Sequence, residues 1–562
     1  MDGVAHHIWD SRYRHDGERT FAESLQRVAR ALAAPEDGQR AFWEACFLES
    51  MQEGRFLPAG RILAGAGTRR RVTLANCFVM GRIEDSIDGI FRALREGALT
   101  MQQGGGVGYD FSTLRPRGSP AIGTGMTASG PVSFMQVWNS MCETMLSTGT
   151  RRGAMMATLR CDHPDIEAFI DAKRDPEALE CFNLSVQVSD AFMTAVHDGS
   201  EWPLVFPGEG GETLLRDWTG HDAPVRCRVH RKVDARTLWA RLLRAAYDSA
   251  EPGVLFIDRI NRLDNLSYCE RITATNPCGE APLPPYGACV LGSLNLAAFV
   301  IAPFAPNAHL DEAALAETAQ IAVRMLDNAI GASGWPLPAQ RDQALASRRV
   351  GLGIMGLADA LIMLGLCYDE PEARRTAASA MRTICHAAYR ASIGLAREKG
   401  PFPQFRRDAY LASPFIAALP ASIRDAIAQD GIRNSHLTAI APTGTISLVV
   451  GGVSSGLEPV LAATVRRSIL QSDRSKRDFK IVAHAVERWR QAGHRGHPPA
   501  FIGAAEIAPD DHLAMQAALQ PFADGAISKT VTIPSGYSFA AFRTIYETAY
   551  DKGLKGCTAF RL

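Results

Sequence analysis

Short apolar runs alternate with long helical repeats along most of this chain. Residues 72–80 and 254–260 are typical of buried strands, and amphipathic helices are indicated after Ser86, Asp234 and Asp311. Strands separated by helices of about ten or more residues favour parallel βαβ units over an antiparallel sandwich. The alternation therefore predicts an α/β fold.

The N-terminal region has a different pattern. Thr20 and Glu23 have the spacing of a capping box, and Leu25, Val28 and Leu32 repeat behind them at helical intervals. We therefore predict a small helical cap at residues 1–70 and one large domain at 71–562, because no long low-complexity segment divides the rest. Within that domain the basic and polar stretch 463–500 is expected to be a surface insertion.

The formal charge of the chain is balanced, with 60 Lys and Arg against 60 Asp and Glu. Binding of nucleic acid by phosphate neutralisation requires a cationic excess, so no nucleic-acid partner is expected. Neither a secretory signal nor an apolar run of about 18 residues is present, so we expect a cytoplasmic protein without a membrane partner. In a reducing compartment the 12 cysteines are expected to be mostly packed thiols.

Several glycine-rich stretches could bring the backbone close to a phosphate group. Residues 351–356 have the G-x-G-x-x-G spacing, but charged residues precede them where a dinucleotide site needs a buried strand, so close backbone packing at a helix start is preferred. The loop from Pro442 to Ser447 follows a predicted strand at 437–440 and combines hydroxyl side chains with a glycine. It is either a phosphate-binding loop or a capped turn.

Metal-binding motifs are incomplete in this sequence. Cys161 and His163, and Cys227 and His230, have ligand-like spacing, but neither pair has a second pair at the distance of a zinc finger. Signatures of hydrolytic nucleophiles and of calcium loops are absent as well. We therefore expect no metal site built from protein ligands.

The densest group of reactive side chains lies in the proline-rich segment 273–296. Asn276, Cys278 and Glu280 alternate, so in an extended loop all three would project to one side. A carboxylate raises the pKa of a neighbouring thiol, which suits chemistry on a neutral thiol or a thiyl radical better than a thiolate nucleophile. Glu280 is then a candidate general base and Asn276 a candidate hydrogen-bond donor. Buried, unreactive cysteines are the alternative.

Many segments, in one order along the chain, resemble the ribonucleotide reductase family, specifically the catalytic chain of its adenosylcobalamin-dependent class II. They include NCFVMGRIEDSID (76–88), GGGVGYDFSTLRPRG (104–118), NPCGE (276–280), APTGTIS (441–447) and KGLKGCTAFR (552–561). The resemblance implies a ten-stranded α/β barrel of two five-stranded parallel halves, with a central finger loop that carries residues 276–280.

The resemblance also implies an activity and a role for each site residue. Ribonucleoside diphosphates would be reduced to 2′-deoxyribonucleoside diphosphates, the precursors of DNA. Cys278 would carry the thiyl radical that removes the ribose 3′-hydrogen, Glu280 would take the 3′-hydroxyl proton, and Asn276 would hydrogen-bond the ribose. Cys77 and Cys289 would be the dithiol that is oxidised to a disulfide. Substrate would be bound by Asn76 and Gly106 at the sugar and by Pro442, Thr443, Gly444, Thr445, Ile446 and Ser447 at the diphosphate.

Control of substrate specificity by a dNTP or ATP effector in a homodimer is implied in the same way. Asp85 and Ser86 match effector-contacting positions, and Arg151 and Arg152 lie in the second of two control loops, at 118–129 and 148–154. A solvated turn is the alternative for these two arginines, although the glycines beside them favour a mobile loop.

The C-terminal segment favours one class of the family. Class I catalytic chains receive their radical through a pair of tyrosines near the chain end, whereas Phe560 has no hydroxyl to oxidise. The glycyl-radical motif of class III is absent too. The resemblance therefore implies adenosylcobalamin as cofactor, with cobalt only inside it. A class I-type catalytic chain and a non-catalytic nucleotide-binding paralogue remain as alternatives.

Three departures from the family pattern change what we expect. The segment before the barrel is too short for an ATP-cone. No C-terminal Cys-x-x-Cys pair is present, so thioredoxin or a separate small protein with a Cys pair is the expected reductant. Gly60 stands where many relatives carry a serine, which removes one hydroxyl from the substrate pocket.

Overall fold

The computed structural model describes residues 3–120, 126–146, 154–175, 177–221, 223–470 and 475–561. The candidate effector residues Arg151 and Arg152 lie outside these described residues.

Helices and strands alternate over most of the described chain. The α-helices are α1 (Gly3–Ile8), α2 (Phe21–Ala33), α3 (Arg40–Gln52), α4 (Gly60–Gly65), α5 (Ile87–Gln102), α6 (Pro131–Leu146), α7 (Ile166–Ile170), α8 (Asp190–Asp198), α9 (Ala235–Ser249), α10 (Ile257–Arg262), α11 (Glu312–Ala332), α12 (Pro338–Ser347), α13 (Leu357–Met363), α14 (Pro371–Lys399), α15 (Arg407–Ala412), α16 (Pro414–Ala417), α17 (Ala421–Asp430), α18 (Ile446–Val449), α19 (His484–Gln491), α20 (Pro509–Leu519) and α21 (Phe539–Asp551). The strands are β1 (Phe56–Pro58), β2 (Cys77–Val79), β3 (Gly106–Asp110), β4 (Met155–Arg160), β5 (Phe182–Val188), β6 (Glu201–Pro207), β7 (Thr213–Arg216), β8 (Val225–Asp234), β9 (Gly253–Phe256), β10 (Ala274–Thr275), β11 (Pro282–Leu283), β12 (Ala288–Asn295), β13 (Val300–Ile301), β14 (His309–Leu310), β15 (Val350–Met355), β16 (Thr464–Leu470), β17 (Lys476–Val482), β18 (Thr530–Ile533) and β19 (Gly556–Arg561). A π-helix covers Trp9–Tyr13, and short 3-10 turns complete the pattern.

The helix starts that the sequence indicates are capped as expected. The side chains of Thr20, Ser86, Asp234 and Asp311 each accept a hydrogen bond from the backbone N–H three residues later, at the starts of α2, α5, α9 and α11. The backbone N–H of Thr20 donates in return to the Glu23 carboxylate, which completes the capping box. These caps satisfy backbone donors that have no partner inside a helix.

Three predicted strands are shorter in the structure. Within 72–80 only β2 is a strand, and the run 254–260 changes from β9 to α10 after Phe256. Residues 437–440 form only isolated parallel bridges, from Thr438 to Leu352 and from Ile440 to Ile527. Short apolar runs do not distinguish a buried strand from a buried helix, which explains the misassigned end of 254–260.

A ten-stranded mixed sheet lies at the centre of the fold. Strands β2, β3, β4, β5 and β9 pair in parallel in that order. Two further parallel pairs are β12 with β15 and β18 with β19. Antiparallel pairing joins these groups at β2–β12 and β9–β19. The predicted α/β class is therefore confirmed as a mixed fold with one large sheet and a helical N-terminal region.

The N-terminal helices are tied to the rest of the fold by a buried ion pair. Arg324 of α11 contacts Glu36 at 2.8 Å, close to the end of α2, and both side chains are buried. One N-terminal segment is not helical, because β1 pairs antiparallel with β12 in the large sheet. Of the helices in the described part of the chain, none is long and apolar enough to span a membrane.

Candidate functional site

Cys77 and Cys289 lie directly opposite each other on the neighbouring antiparallel strands β2 and β12. Both side chains are buried, and the backbone N–H of Asn76 donates to the carbonyl of Cys289 at 3.3 Å. Opposed residues of an antiparallel pair have Cβ atoms about 4.5–5.5 Å apart, near the separation that a disulfide requires. The two thiols are therefore placed to be oxidised together.

Residues 276–280, the finger loop, form the tip of the small hairpin β10–β11. The N–H of Gly279 donates to the carbonyl of Asn276 at 3.1 Å, and Gly279 has a φ of 82°. This is a tight turn, and the glycine supplies the left-handed conformation that the turn needs. The expectation of an extended loop is therefore wrong, since Asn276 and Glu280 are buried whereas Cys278 is exposed at the tip.

Side chains of the finger loop converge on the dithiol. The amide Nδ2 of Asn276 donates to Cys77 Sγ at 3.1 Å, and Cys77 Sγ donates to Glu280 Oε1 at 3.6 Å. The second carboxylate oxygen of Glu280, Oε2, is buried and accepts no hydrogen bond from the described residues. Glu280 therefore has one oxygen directed to the dithiol and one left for another donor.

Burial disfavours the charged forms of Glu280 and of the two thiols. Burial raises the pKa of the Glu280 carboxyl, and the hydrogen bond from Asn276 offsets part of that effect. Burial is the largest cause that raises the pKa of the Cys77 thiol well above its ordinary value, and the negative charge of the nearby Glu280 is the second. The same two causes raise the pKa of the Cys289 thiol. Both cysteines are consequently protonated at neutral pH, which agrees with chemistry on neutral thiols.

Close packing fixes the finger loop against β3. A side chain at Gly106 would approach Pro277 Cδ to 3.3 Å. Asn183 of β5 donates its Nδ2 to the carbonyl of Pro277 at 2.7 Å, which anchors the loop from a second strand. The N–H of Gly106 also donates to the carbonyl of Asn76 at 2.9 Å. Asn76 and Gly106 thus adjoin the cluster through their backbones.

Residues 442–447, the candidate phosphate-binding loop that is called the phosphate loop below, lead into the short helix α18. Thr443 has a φ of 52°, and its Oγ1 accepts a hydrogen bond from the N–H of Gly456 at 2.9 Å. Ser447 Oγ lies 3.3 Å from Ser455 Oγ. Ala441, directly before the loop, packs in the same apolar cluster as Cys77 and Cys289. The structure thus brings the start of this loop next to the dithiol.

Tyr13 is a residue of this region that the sequence reasoning missed. Its hydroxyl donates to Thr445 Oγ1 at 2.6 Å, although the two residues are 432 positions apart in the chain. A Cβ atom at Gly60 would lie 3.0 Å from the same hydroxyl. The glycine at position 60 was the signal in the sequence, because the space it leaves is taken by Tyr13.

The candidate effector residues that are described have structural partners. Asp85 Oδ2 accepts a hydrogen bond from Arg115 Nε at 2.7 Å, and Ser86 caps α5. The first turns of α5 expose two large apolar side chains, Ile87 at 64% and Phe91 at 49%. Both side chains are therefore largely exposed to solvent in the single chain.

The incomplete metal-binding motifs and the G-x-G-x-x-G segment have structural explanations. Among the described residues no group of three or more His, Cys, Asp or Glu side chains is arranged to hold a metal ion. His163 is buried, contacts the carbonyl of Leu114 at 3.0 Å and has its pKa lowered by burial to about 4. Residues 351–356 are mostly the buried strand β15, where Gly353 packs against the backbone of Ala439.

Two family models match almost the whole chain. "Ribonucleotide reductase, all-alpha domain" matches residues 3–71, and "Ribonucleotide reductase, barrel domain" matches residues 75–560. The chain belongs to the ribonucleotide reductase family. The family assignment drawn from the sequence motifs is therefore confirmed.

Two of the relatives described here carry names that specify a cofactor. A vitamin B12-dependent ribonucleoside-diphosphate reductase of Mycobacterium tuberculosis is 39% identical over 97% of this chain and 77% of its own length. A protein of the same name from Thermoplasma acidophilum is 33% identical over 92% of this chain and 64% of its own length. A ribonucleoside-diphosphate reductase subunit alpha of Chlamydia pneumoniae is 28% identical, over 79% of this chain and 46% of the relative.

Proposed function

We propose that this chain reduces ribonucleoside diphosphates to 2′-deoxyribonucleoside diphosphates in a cobalamin-dependent radical reaction. The single observation that carries the proposal is the opposed pair Cys77 and Cys289 beside Glu280 and Asn276. Reduction of a carbon–oxygen bond requires two electrons, and an opposed dithiol can deliver both by forming one disulfide. The names of the relatives that are at least 33% identical support the diphosphate substrate and the cofactor.

Each site residue has a role that its surroundings support. Cys278, exposed at the tip of the finger loop, removes the ribose 3′-hydrogen as a thiyl radical and later returns it. Glu280 takes the 3′-hydroxyl proton on its buried Oε2, which has no other donor among the described residues. The 2′-hydroxyl leaves as water while Cys77 and Cys289 give up two protons and two electrons and form a disulfide.

The position of Cys278 fits the cofactor. Its neighbours Asn276 and Glu280 are buried, whereas the Cys278 thiol is exposed. A cofactor that is too large to enter the buried cluster could therefore still reach this thiol. Adenosylcobalamin, when bound, supplies the one-electron chemistry that converts this thiol to a thiyl radical. Phe560 on β19 has no phenol, which supports this source over the tyrosine relay of class I.

We further propose that the strands close into a ten-membered barrel of two five-stranded parallel halves. One half is β2, β3, β4, β5 and β9. The other consists of β12, β15, residues 437–440, β18 and β19, and the parallel bridges from Leu352 to Thr438 and from Ile440 to Ile527 support its continuity. The antiparallel pairs β2–β12 and β9–β19 then join the halves on both sides.

Effector binding, dimerisation and re-reduction complete the proposal. Asp85 and Ser86 at the start of α5 are proposed to contact a dNTP or ATP effector, and the exposed Ile87 and Phe91 support a homodimer through this helix. The disulfide formed in each cycle has to be reduced by an external dithiol, for which thioredoxin or a small protein with a Cys pair is proposed.

Reduction of CDP tests the proposed function directly. The full chain with adenosylcobalamin and dithiothreitol should form dCDP, because the small dithiol replaces any protein reductant. The assay is repeated with each effector nucleotide, since specificity control could otherwise hide activity. CDP binding without dCDP under every condition would instead favour a non-catalytic paralogue, and absence of both would refute the proposal.

A further inference from the structure

The hairpin β16–β17 has one face directed into the fold. Residues on a strand alternate between faces, so Arg467 shares a face with the buried Ile469. Its cross-strand partner Phe479 lies on the same face and contacts the ring of His7 at 5.1 Å between centroids. Arg466 and its partner Lys480 are exposed on the opposite face. Packing on α1 thus fixes the side of the hairpin that carries Arg467.

Arg467 reaches the phosphate loop from this face. Its Nη2 lies 3.9 Å from the place that a Cβ atom on Gly444 would occupy. Because Gly444 has no side chain, the gap between the loop backbone and the guanidinium stays open. Backbone N–H groups of a glycine-containing loop together with a guanidinium are a combination that binds phosphate oxygens.

No carboxylate among the described residues forms an ion pair with Arg467 or with Arg12 of the nearby π-helix. Burial lowers the pKa of the Arg467 guanidinium, and the positive charge of Arg12 lowers it further. Arg467 nevertheless keeps much of its side chain exposed, so water solvates its charge in the single chain and an incoming anion can reach the guanidinium. The counterpart that this arrangement lacks is therefore a negatively charged ligand.

We infer that Arg467 binds the terminal phosphate of the substrate diphosphate next to Gly444, which makes the hairpin β16–β17 part of the substrate site. The inference rests on the proposed phosphate-binding role of residues 442–447 and adds to it a cation from another part of the chain. A guanidinium donates two parallel hydrogen bonds to a phosphate, which a lysine cannot reproduce. Arg467 consequently favours a nucleoside diphosphate over the corresponding monophosphate.

The test compares Arg467→Met with Arg466→Met, because the two arginines are adjacent and face opposite sides of the same strand. Binding of radiolabelled CDP and CMP to the full chain is measured by equilibrium dialysis, together with KM and kcat for CDP. Arg467→Met should weaken CDP binding and raise KM at least about tenfold, as expected for a charge-assisted contact. Its kcat should stay within about twofold and its CMP affinity should be unchanged.

The control and the conservative variant separate binding from folding. Arg466→Met should leave CDP binding and KM unchanged, and Arg467→Lys should lie between the wild type and Arg467→Met. Inorganic pyrophosphate should displace CDP from the wild type at a lower concentration than from Arg467→Met. A loss of kcat with unchanged CDP affinity would assign Arg467 a structural role and overturn the inference.

The remaining outcomes distinguish this inference from the proposed function. Wild-type CDP reduction combined with equal CDP affinity of the wild type and Arg467→Met would overturn the inference alone. A wild type that neither binds nor reduces CDP would overturn the proposed function and the inference with it.

Discussion

Asn276 donates its side-chain amide to the sulfur of Cys77 across 3.1 Å, and this hydrogen bond links the finger loop to strand β2. The same Asn276 accepts the backbone N–H of Ala281 at 3.0 Å on its Oδ1, so its orientation is fixed from both ends of the amide. Cys77 is in turn opposed to Cys289 and directed to Glu280. The residue types that the reaction needs are therefore held together by contacts between three separate segments of the chain.

Replacement of Cys289 by Ser should abolish multiple turnovers, because a hydroxyl cannot form a disulfide with Cys77. We expect dCDP formation to fall by on the order of a hundredfold or more. Thiols counted by alkylation after one turnover without reductant should decrease in the wild type and not in the variant. Cys385→Ala is the matched control, since Cys385 is a buried thiol of α14 outside this cluster. Equal thiol loss in wild type and Cys289→Ser would contradict the assigned dithiol.

Replacement of Glu280 by Gln should lower kcat by about 10²–10⁴, the usual contribution of a general base. The acid limb of the wild-type pH profile should lie above the ordinary glutamate value of 4.5, because burial raises the pKa of this carboxyl. Glu280→Gln should lack that limb in its residual activity. A wild-type acid limb below 4.5 would contradict the assignment.

The same carboxyl should affect stability with a defined sign. A raised pKa means that the folded state binds the Glu280 proton more tightly than the unfolded state, so stability falls as pH rises from the ordinary value through the raised one. Glu280→Gln removes this contribution. From pH 4 to pH 7 the wild type should therefore lose stability that Glu280→Gln does not lose. The thermal unfolding temperature of the variant minus that of the wild type, measured by circular dichroism, should increase over this range.

The sequence predicted much of the fold and of the reactive cluster from local signals. Helix starts at Thr20, Ser86, Asp234 and Asp311 depend on one side chain and the next turn, so they were visible without the structure. The neutral thiol expected at Cys278 stays a prediction, whereas at Cys77 burial first and Glu280 second raise the pKa of the thiol.

Other features depend on contacts that no local pattern reveals. The turn at Gly279 replaced the expected extended loop because the hydrogen bond to Asn276 and the packing against β3 decide its path. Tyr13 and Arg467 meet the phosphate loop only after the N-terminal region and the hairpin β16–β17 fold over it. Contacts of this kind come from tertiary packing and not from spacing along the chain.

Charges on the exposed face of α5 should prevent dimer formation. We expect Ile87→Glu and Phe91→Glu to shift the protein to monomers, because burying a carboxylate in an apolar interface is costly. Ile301→Glu is the control, since Ile301 is also exposed, at 46%, but lies outside α5. Light scattering at several protein concentrations measures the result. A dimer that persists in both α5 variants would exclude this helix as the interface.

Loss of the Tyr13 hydroxyl should weaken substrate binding without slowing chemistry. In Tyr13→Phe the hydrogen bond to Thr445 is absent, so the phosphate loop loses one positioning contact. We expect KM for CDP to rise about two- to tenfold, the value of one hydrogen bond, with kcat nearly unchanged. Steady-state kinetics with CDP measure both constants, and a fall in kcat at constant KM would contradict the positioning role.

A serine at position 60 gives the complementary test of the same contact. A Cβ atom there would lie 3.0 Å from the Tyr13 hydroxyl, so Gly60→Ser should displace Tyr13 and raise KM for CDP. In Tyr13→Phe the contact at 3.0 Å with the hydroxyl is gone and the ring contact at 3.2 Å with Cε1 remains, so the added effect of Gly60→Ser should be smaller in that background but not zero. The double-mutant cycle should therefore show a coupling of about 0.5–3 kcal/mol, as found for residues in contact. Additive effects of the two substitutions would mean that Tyr13 does not occupy the space that Gly60 leaves.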